Sequence, residues 1–153
     1  MKTNKKQPVI LFLDIDGVLI TRDEDGDLEE FFNPKCVRIL NLILERTGAE
    51  IVISSDWRNH YSLSAMKDVF KDEKIVKLPF DYTPDLWTKN SKAEDIELIR
   101  TKEIEKWLKE NNHSVWCAVD DMELNLIPFV LVDPNTGLTH SVKNRVFDFL
   151  IVN

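Results

Sequence analysis

Cysteine is scarce. The chain has two in 153 residues, Cys36 and Cys117, far apart and without metal-site or disulfide-framework spacing. Buried thiols in a cytoplasmic protein are the expectation. Glycine is scarce too, with four residues, and the sequence holds neither a P-loop nor a Gly-x-Ser-x-Gly elbow; P-loop kinases and hydrolases of that elbow type are excluded. Positive charge is in deficit: 20 lysines and arginines against 27 aspartates and glutamates, a formal net charge of −7. Phosphate contacts need a basic face, so the balance argues against a binder of extended duplex nucleic acid and leaves room for a local basic pocket. No stretch approaches the ~18 apolar residues of a membrane helix, and no membrane partner is expected. Lys2, Lys5 and Lys6 precede an apolar run in the manner of a secretory leader. Asp14 and Asp16 interrupt that run after five residues, short of the ~7–15 a leader needs.

That interrupted run is the most informative stretch of the chain. Val9 to Leu13 is continuously apolar and branched, as in a strand covered on both faces of a parallel sheet. Its polarity changes at Asp14-Ile15-Asp16-Gly17, which puts two carboxylates at the C-terminal edge of the strand, where open α/β sheets bind ligands. Carboxylates this close repel unless a cation lies between them, and Mg²⁺ takes oxygen ligands of this kind. Taken alone, Asp14 and Asp16 are equally readable as the end of a strand and the start of a turn.

The length fits one domain over residues 1–153 that buries ~70% of the surface its unfolded form exposes. Residues 1–8 are polar and expected to be loose. An acidic flap follows over 21–32, with a tight turn at Asp25-Gly26. Asp23, Asp25 and Asp27 invite a calcium-loop reading, which fails because Leu28 and Pro34 stand where such a loop needs glycine and glutamate. Asn33-Pro34 starts a helix that Gly48 ends. The pattern predicts a second strand over 50–53 running into Ser54-Ser55-Asp56-Trp57-Arg58, a helix over about 62–71 and a short third strand over 74–78. Residues 79–99 read as an irregular excursion. A helix capped near Thr101 follows, then strands at 116–119 and 129–132, and a last helix capped by Thr139. Alternating strands and helices predict an α/β three-layer sandwich on a mostly parallel, five-stranded, Rossmann-like sheet.

Three strands therefore end in polar groups at one edge: Asp14 and Asp16, Ser54, and Asp120-Asp121. A cation, Arg100 or Lys102, stands near the third clear helix. Asp14-Ile15-Asp16-Gly17-Val18, Ile51-Val52-Ile53-Ser54, Arg100 or Lys102, and Val119-Asp120-Asp121 resemble, in type and order, the four motifs of the haloacid dehalogenase-like (HAD) phosphohydrolases. The likeness spans residues 9–121. Ser54-Ser55-Asp56-Trp57-Arg58, with Arg100 ahead of Glu103-Ile104 and Trp107-Leu108, also resembles the small HAD domains associated with RNA repair.

The resemblance implies a Mg²⁺-dependent phosphatase with a minimal cap. Asp14 is its implied nucleophile, forming an aspartyl-phosphate, and Asp16 its general acid and base. Ser54, Ser55 and Arg100 or Lys102 are implied phosphate contacts. Asp14, the Asp16 carbonyl, Asp120 and Asp121 are implied metal ligands. Trp57 and Arg58 have two readings, as a stacking face and phosphate contact for substrate, or as packing. The expected partner is a phosphorylated substrate, a small molecule or a macromolecular end; with so little chain for a lid, a phosphate on a macromolecule or a nucleic-acid end is the favoured of the two. Two rivals remain: a non-catalytic binding domain of this fold, and a receiver-like phospho-accepting module, against which the order of the acidic motifs argues.

Overall fold

The structure, a computed structural model, describes residues 7–151; of the expected loose segment over 1–8, residues 1–6 lie outside the described residues. Five strands form one parallel sheet in the order β3-β2-β1-β4-β5: β1 Ile10–Leu13, β2 Glu50–Ile53, β3 Pro79–Tyr82, β4 Trp116–Asp120 and β5 Phe129–Leu131. Four α-helices connect or flank them: α1 Pro34–Thr47, α2 Leu63–Asp72, α3 Ile96–Asn111 and α4 His140–Leu150. This is the expected α/β three-layer sandwich.

The central strand explains the layering. Every residue of β1 is buried, and alternate side chains serve opposite faces of the sheet. Leu11 and Leu13 join Ile51, Ile53, Cys117 and Val119 in a core shared with α1, α2 and α4. Ile10 and Phe12 join Val52 and Ala118 in a second core under α3, where Trp107 meets Phe12 edge-on at 5.4 Å. Helix boundaries follow their sequence signals. Asn33 caps α1 by accepting from the Lys35 amide at 2.9 Å, and Gly48 ends it in the left-handed region at φ 66°. Ser62 and Thr139 cap α2 and α4 through their hydroxyls.

Two expectations needed correction. The third strand is not at 74–78. Lys74 takes a positive φ of 59° after α2, and the turn behind it is pinned to α1 by Asn41, which donates to the Lys74 carbonyl and accepts from the Val76 amide. Pairing begins at Pro79, a residue tolerated as the first position of an edge strand. The third long helix does not start near Thr101 but at Ile96, after a 3-10 turn over Ala93–Asp95. It has no side-chain cap bond at its N-terminus, and its buried face carries Arg100, Thr101 and Glu103 among its apolar residues, so the 3.6-residue period is blurred.

The acidic flap is a small hairpin, with an antiparallel bridge between Arg22 and Leu28. Asp23 accepts from the amides of Asp25 and Asp27 and so closes the turn itself. Among the described residues no helix is long and apolar enough to cross a membrane.

Candidate active site

Strand register assembles the site. Leu13 lies opposite Ile53 on one side and Val119 on the other. The next residue of each strand therefore arrives at the same level of the sheet edge: Asp14, Ser54 and Asp120. The Asp14 amide still donates to the Val119 carbonyl at 3.2 Å and the Ser54 amide to the Leu13 carbonyl at 2.9 Å. The backbone holds all three before any side chain contributes.

Asp14, Ser54 and Asp120 are buried. Ligand oxygens of Asp14, Asp120 and Asp121 lie within 4.8 Å of one another. Gly17 makes this crowding possible. A Cβ there would sit 2.3 Å from the Asp121 Oδ2, and the residue's φ of 81° disfavours a side chain as well. Among the described residues one cation enters the cluster, Arg100, whose Nη1 donates to the Asp120 Oδ2 at 3.0 Å and stands 3.4 Å from the Asp14 Oδ2. Its Nη2 lies 3.6 Å from Asp56 on the rim.

Among the described residues, three carboxylates against one guanidinium leave negative charge uncompensated. Burial raises the Asp14 carboxyl well above the ordinary range, and neighbouring Asp120 raises it further against the pull of Arg100. Burial likewise pushes Asp120 up to about 6, opposed chiefly by Arg100. Burial disfavours the Arg100 charge, yet Asp14 and Asp120 more than offset that, so the guanidinium stays charged. A cluster of hard oxygens short of positive charge, in a space kept open by a glycine, suits a divalent cation.

Ser54 supplies a further sign of a ligand. Its hydroxyl is buried and has no hydrogen-bond partner among the described residues, an arrangement costly enough to call for an explanation. The Ser55 hydroxyl is occupied, capping a 3-10 turn at Asp56–Asn59 by accepting from the Trp57 amide at 3.3 Å. Ser54 is thus the free hydroxyl of the two. Of the two candidate cations, Arg100 is in the cluster. Lys102 is exposed, roughly 200° further around α3, because α3 starts earlier than its sequence suggests.

Trp57 and Arg58 resolve toward packing. The Arg58 side chain is 5% exposed and pairs with buried Glu103 at 2.5 Å. It also donates to the Thr83 hydroxyl and the Ser55 carbonyl, so it is not a free phosphate contact. The physical reason is Glu103: an acid on the buried face of α3 needs a buried partner of opposite sign. Trp57 stacks on Tyr61 with centroids 5.2 Å apart and meets Phe32 edge-on at 5.7 Å. It is not an open stacking face. Its indole nitrogen instead donates to the Asp16 Oδ1 at 2.9 Å. The Asp16 carboxylate stands outside the three-carboxylate cluster.

Beside Arg100 opens a cavity of about 350 Å³, lined by Trp87, Ile96 and Ile99 on its apolar side and by Asp56, Asn59 and Asp85 on its polar side. Its outer wall is the excursion after β3, tied down where Glu103 accepts from the Leu86 amide at 2.8 Å. Trp87, 45% exposed, had no periodic pattern around it to mark it out in the sequence.

Carboxylates at the ends of adjacent parallel strands, joined by a buried cation in a cluster that could hold a metal, fit the arrangement of haloacid dehalogenase-like domains, at the superfamily level hydrolases of phosphatase type. Residues 10–142 match the family described as HAD domain in Swiss Army Knife RNA repair proteins, and the chain belongs to that family. No curated protein matches it.

Proposed function

We propose that this chain is a phosphatase that removes a terminal phosphate from a nucleic-acid strand through an aspartyl-phosphate on Asp14. The observation that carries the phosphatase reading is the buried, unpartnered Ser54 hydroxyl, on the residue that strand register sets level with Asp14, whose carboxylate lies 3.4 Å from the Arg100 guanidinium. These groups offer a nucleophile, a neutral donor and a cation to a single phosphoryl group.

The chemistry runs in two displacements. An Asp14 oxygen forms a bond to phosphorus while the bond to the ester oxygen breaks, and the departing oxygen takes a proton from Asp16. Water then attacks the phosphorus of the aspartyl-phosphate and gives its proton to Asp16; the bond to Asp14 breaks and inorganic phosphate leaves. Ser54 and Arg100 bind the equatorial oxygens in both steps. Mg²⁺, when held by Asp14, Asp120, Asp121 and the Asp16 carbonyl, would neutralise charge on the transferring group.

The nucleic-acid end is favoured by the family's association with RNA repair. It is also favoured by an open site next to a cavity that offers the exposed indole of Trp87 to a base. The net charge of −7 favours a strand end over an extended duplex. Catalytic efficiency on short 3′- and 5′-phosphorylated oligonucleotides, a phosphopeptide and sugar phosphates tests the reading. One of the oligonucleotides is expected to be preferred; preference for a sugar phosphate would overturn the substrate, and absence of turnover on all would favour a binding domain.

The cation is separately testable. Arg100→Ala is expected to lower kcat by about 10²–10³-fold, the effect of removing one preorganised donor from a transferring group. Lys102→Ala should stay within about twofold, as for an exposed side chain outside the site. The reverse ranking in steady-state kinetics would move the role to Lys102.

A further inference from the structure

We infer that Trp57 is a positioning residue for Asp16: its indole N–H holds one carboxylate oxygen and so designates the other as the oxygen that carries the proton. The inference rests on the acid and base role proposed for Asp16. Indole nitrogen is a donor only. A carboxyl oxygen facing it accepts in every protonation state, so in the bond from Trp57 to the Asp16 Oδ1 the proton that goes to the leaving group is confined to Oδ2. A free carboxyl, by contrast, rotates and shares its proton between two oxygens. Fixing one of them orients the acid before substrate arrives, the kind of preorganisation on which proton transfer depends.

The donor is itself rigidly held. The ring lies between Tyr61, stacked at 18°, and Phe32, at 69°. The turn that carries it is capped by Ser55 and closed by the His60 and Tyr61 amides, both donating to the Trp57 carbonyl. Arg58, the next residue, anchors the same turn to Glu103 on α3. The bond therefore joins the loop after β1 to the loop after β2, across 41 residues of sequence. A tryptophan needed only for packing does not require its nitrogen to face a site carboxylate.

Leaving-group dependence separates positioning from general damage. Expulsion of an alkoxide needs a proton in the transition state, whereas expulsion of a nitrophenolate hardly does. For both esters kcat/KM reports only the first half-reaction, since the aspartyl-phosphate that follows is common to them. Trp57→Phe, which keeps a ring between Tyr61 and Phe32, is expected to lower kcat/KM about tenfold or more on an alkyl phosphate and less than about threefold on p-nitrophenyl phosphate. Should Trp57→Phe fail to fold, benzothienylalanine at position 57 decides, because it keeps the indole shape and replaces only the N–H by sulfur. Equal losses on the two esters, or none, would overturn the inference while Asp16→Asn retained its own strong leaving-group dependence. If Asp16→Asn itself showed no such dependence, the acid role would fail and the inference with it.

Discussion

Asp14→Asn is expected to abolish turnover, lowering kcat by at least about 10³-fold, as loss of a covalent nucleophile does in enzymes whose catalytic groups act as a unit. The amide has almost the carboxylate's shape, so binding groups stay in place. It removes one of three crowded carboxylates whose charge burial and Asp120 already disfavour. Arg100 keeps its hydrogen bond to Asp120. In chelator near pH 7.5 the variant should therefore melt no lower than the parent protein, and higher if the carboxylate repulsion is substantial. The parent protein should acquire label from a substrate bearing a radioactive phosphoryl group, and the variant should not. Near-normal turnover by Asp14→Asn would end the covalent mechanism; loss of both activity and fold would mean that Asp14 is chiefly structural.

Magnesium should stabilise the protein, and the effect should grow with pH. The sign follows from the raised carboxyls. Asp14 and Asp120 titrate above their ordinary value in the folded protein, Asp120 at about 6. Between the ordinary carboxylate range and those raised values the metal-free folded state binds more protons than the unfolded chain, so its stability falls as pH rises through about 4 to 6. Protons and metal compete for the same oxygens. At pH 5 added Mg²⁺ should change the melting temperature little. At pH 7.5, with the ion at about 100 times its dissociation constant, linkage gives about 2.7 kcal/mol, or about 5–10 °C for a chain of this size. Thermal melts with Mg²⁺ and with chelator at both pH values measure it. A melting temperature indifferent to Mg²⁺ at pH 7.5, or a larger shift at pH 5, would remove the metal from the cluster.

The sequence was legible where burial and polarity change abruptly. β1, β2 and β4 are short apolar runs that meet Asp14, Ser54 and Asp120 without transition, and parallel register alone brings those three residues level. Caps of Asn33 and Thr139 marked two of the helices. Legibility failed where side chains satisfy one another over long distance. The buried face of α3 carries charge because Arg100 answers Asp14 and Asp120, and Glu103 answers Arg58. A polar buried face has no hydrophobic period, so the helix looked shorter than it is. β3 was hidden by Pro79, which ordinarily argues against a strand and is admitted here only by its place at the sheet edge. Trp57 and Arg58 had two readings in the sequence, substrate contact or packing, because their partners, Asp16 and Glu103, lie 41 and 45 residues away. No local pattern announces contacts of that range.

Arg100 and Glu103 lie three residues apart on one side of α3, and the first pairs with Asp14 and Asp120 while the second anchors Leu86 in the wall of the adjoining cavity. If the cavity receives the substrate proposed above, chemistry and recognition are geared to the same shaft. A change that slides or rotates this helix alters both at once, and selection cannot tune either by that route without disturbing the other. The stretch from Trp87 to Ser91 is differently placed: its bonds to Asp85 and between Thr88 and Ser91 are local and exposed. New substrate preferences are most cheaply explored there, by exchanging this stretch between relatives while both anchors on the helix stay fixed.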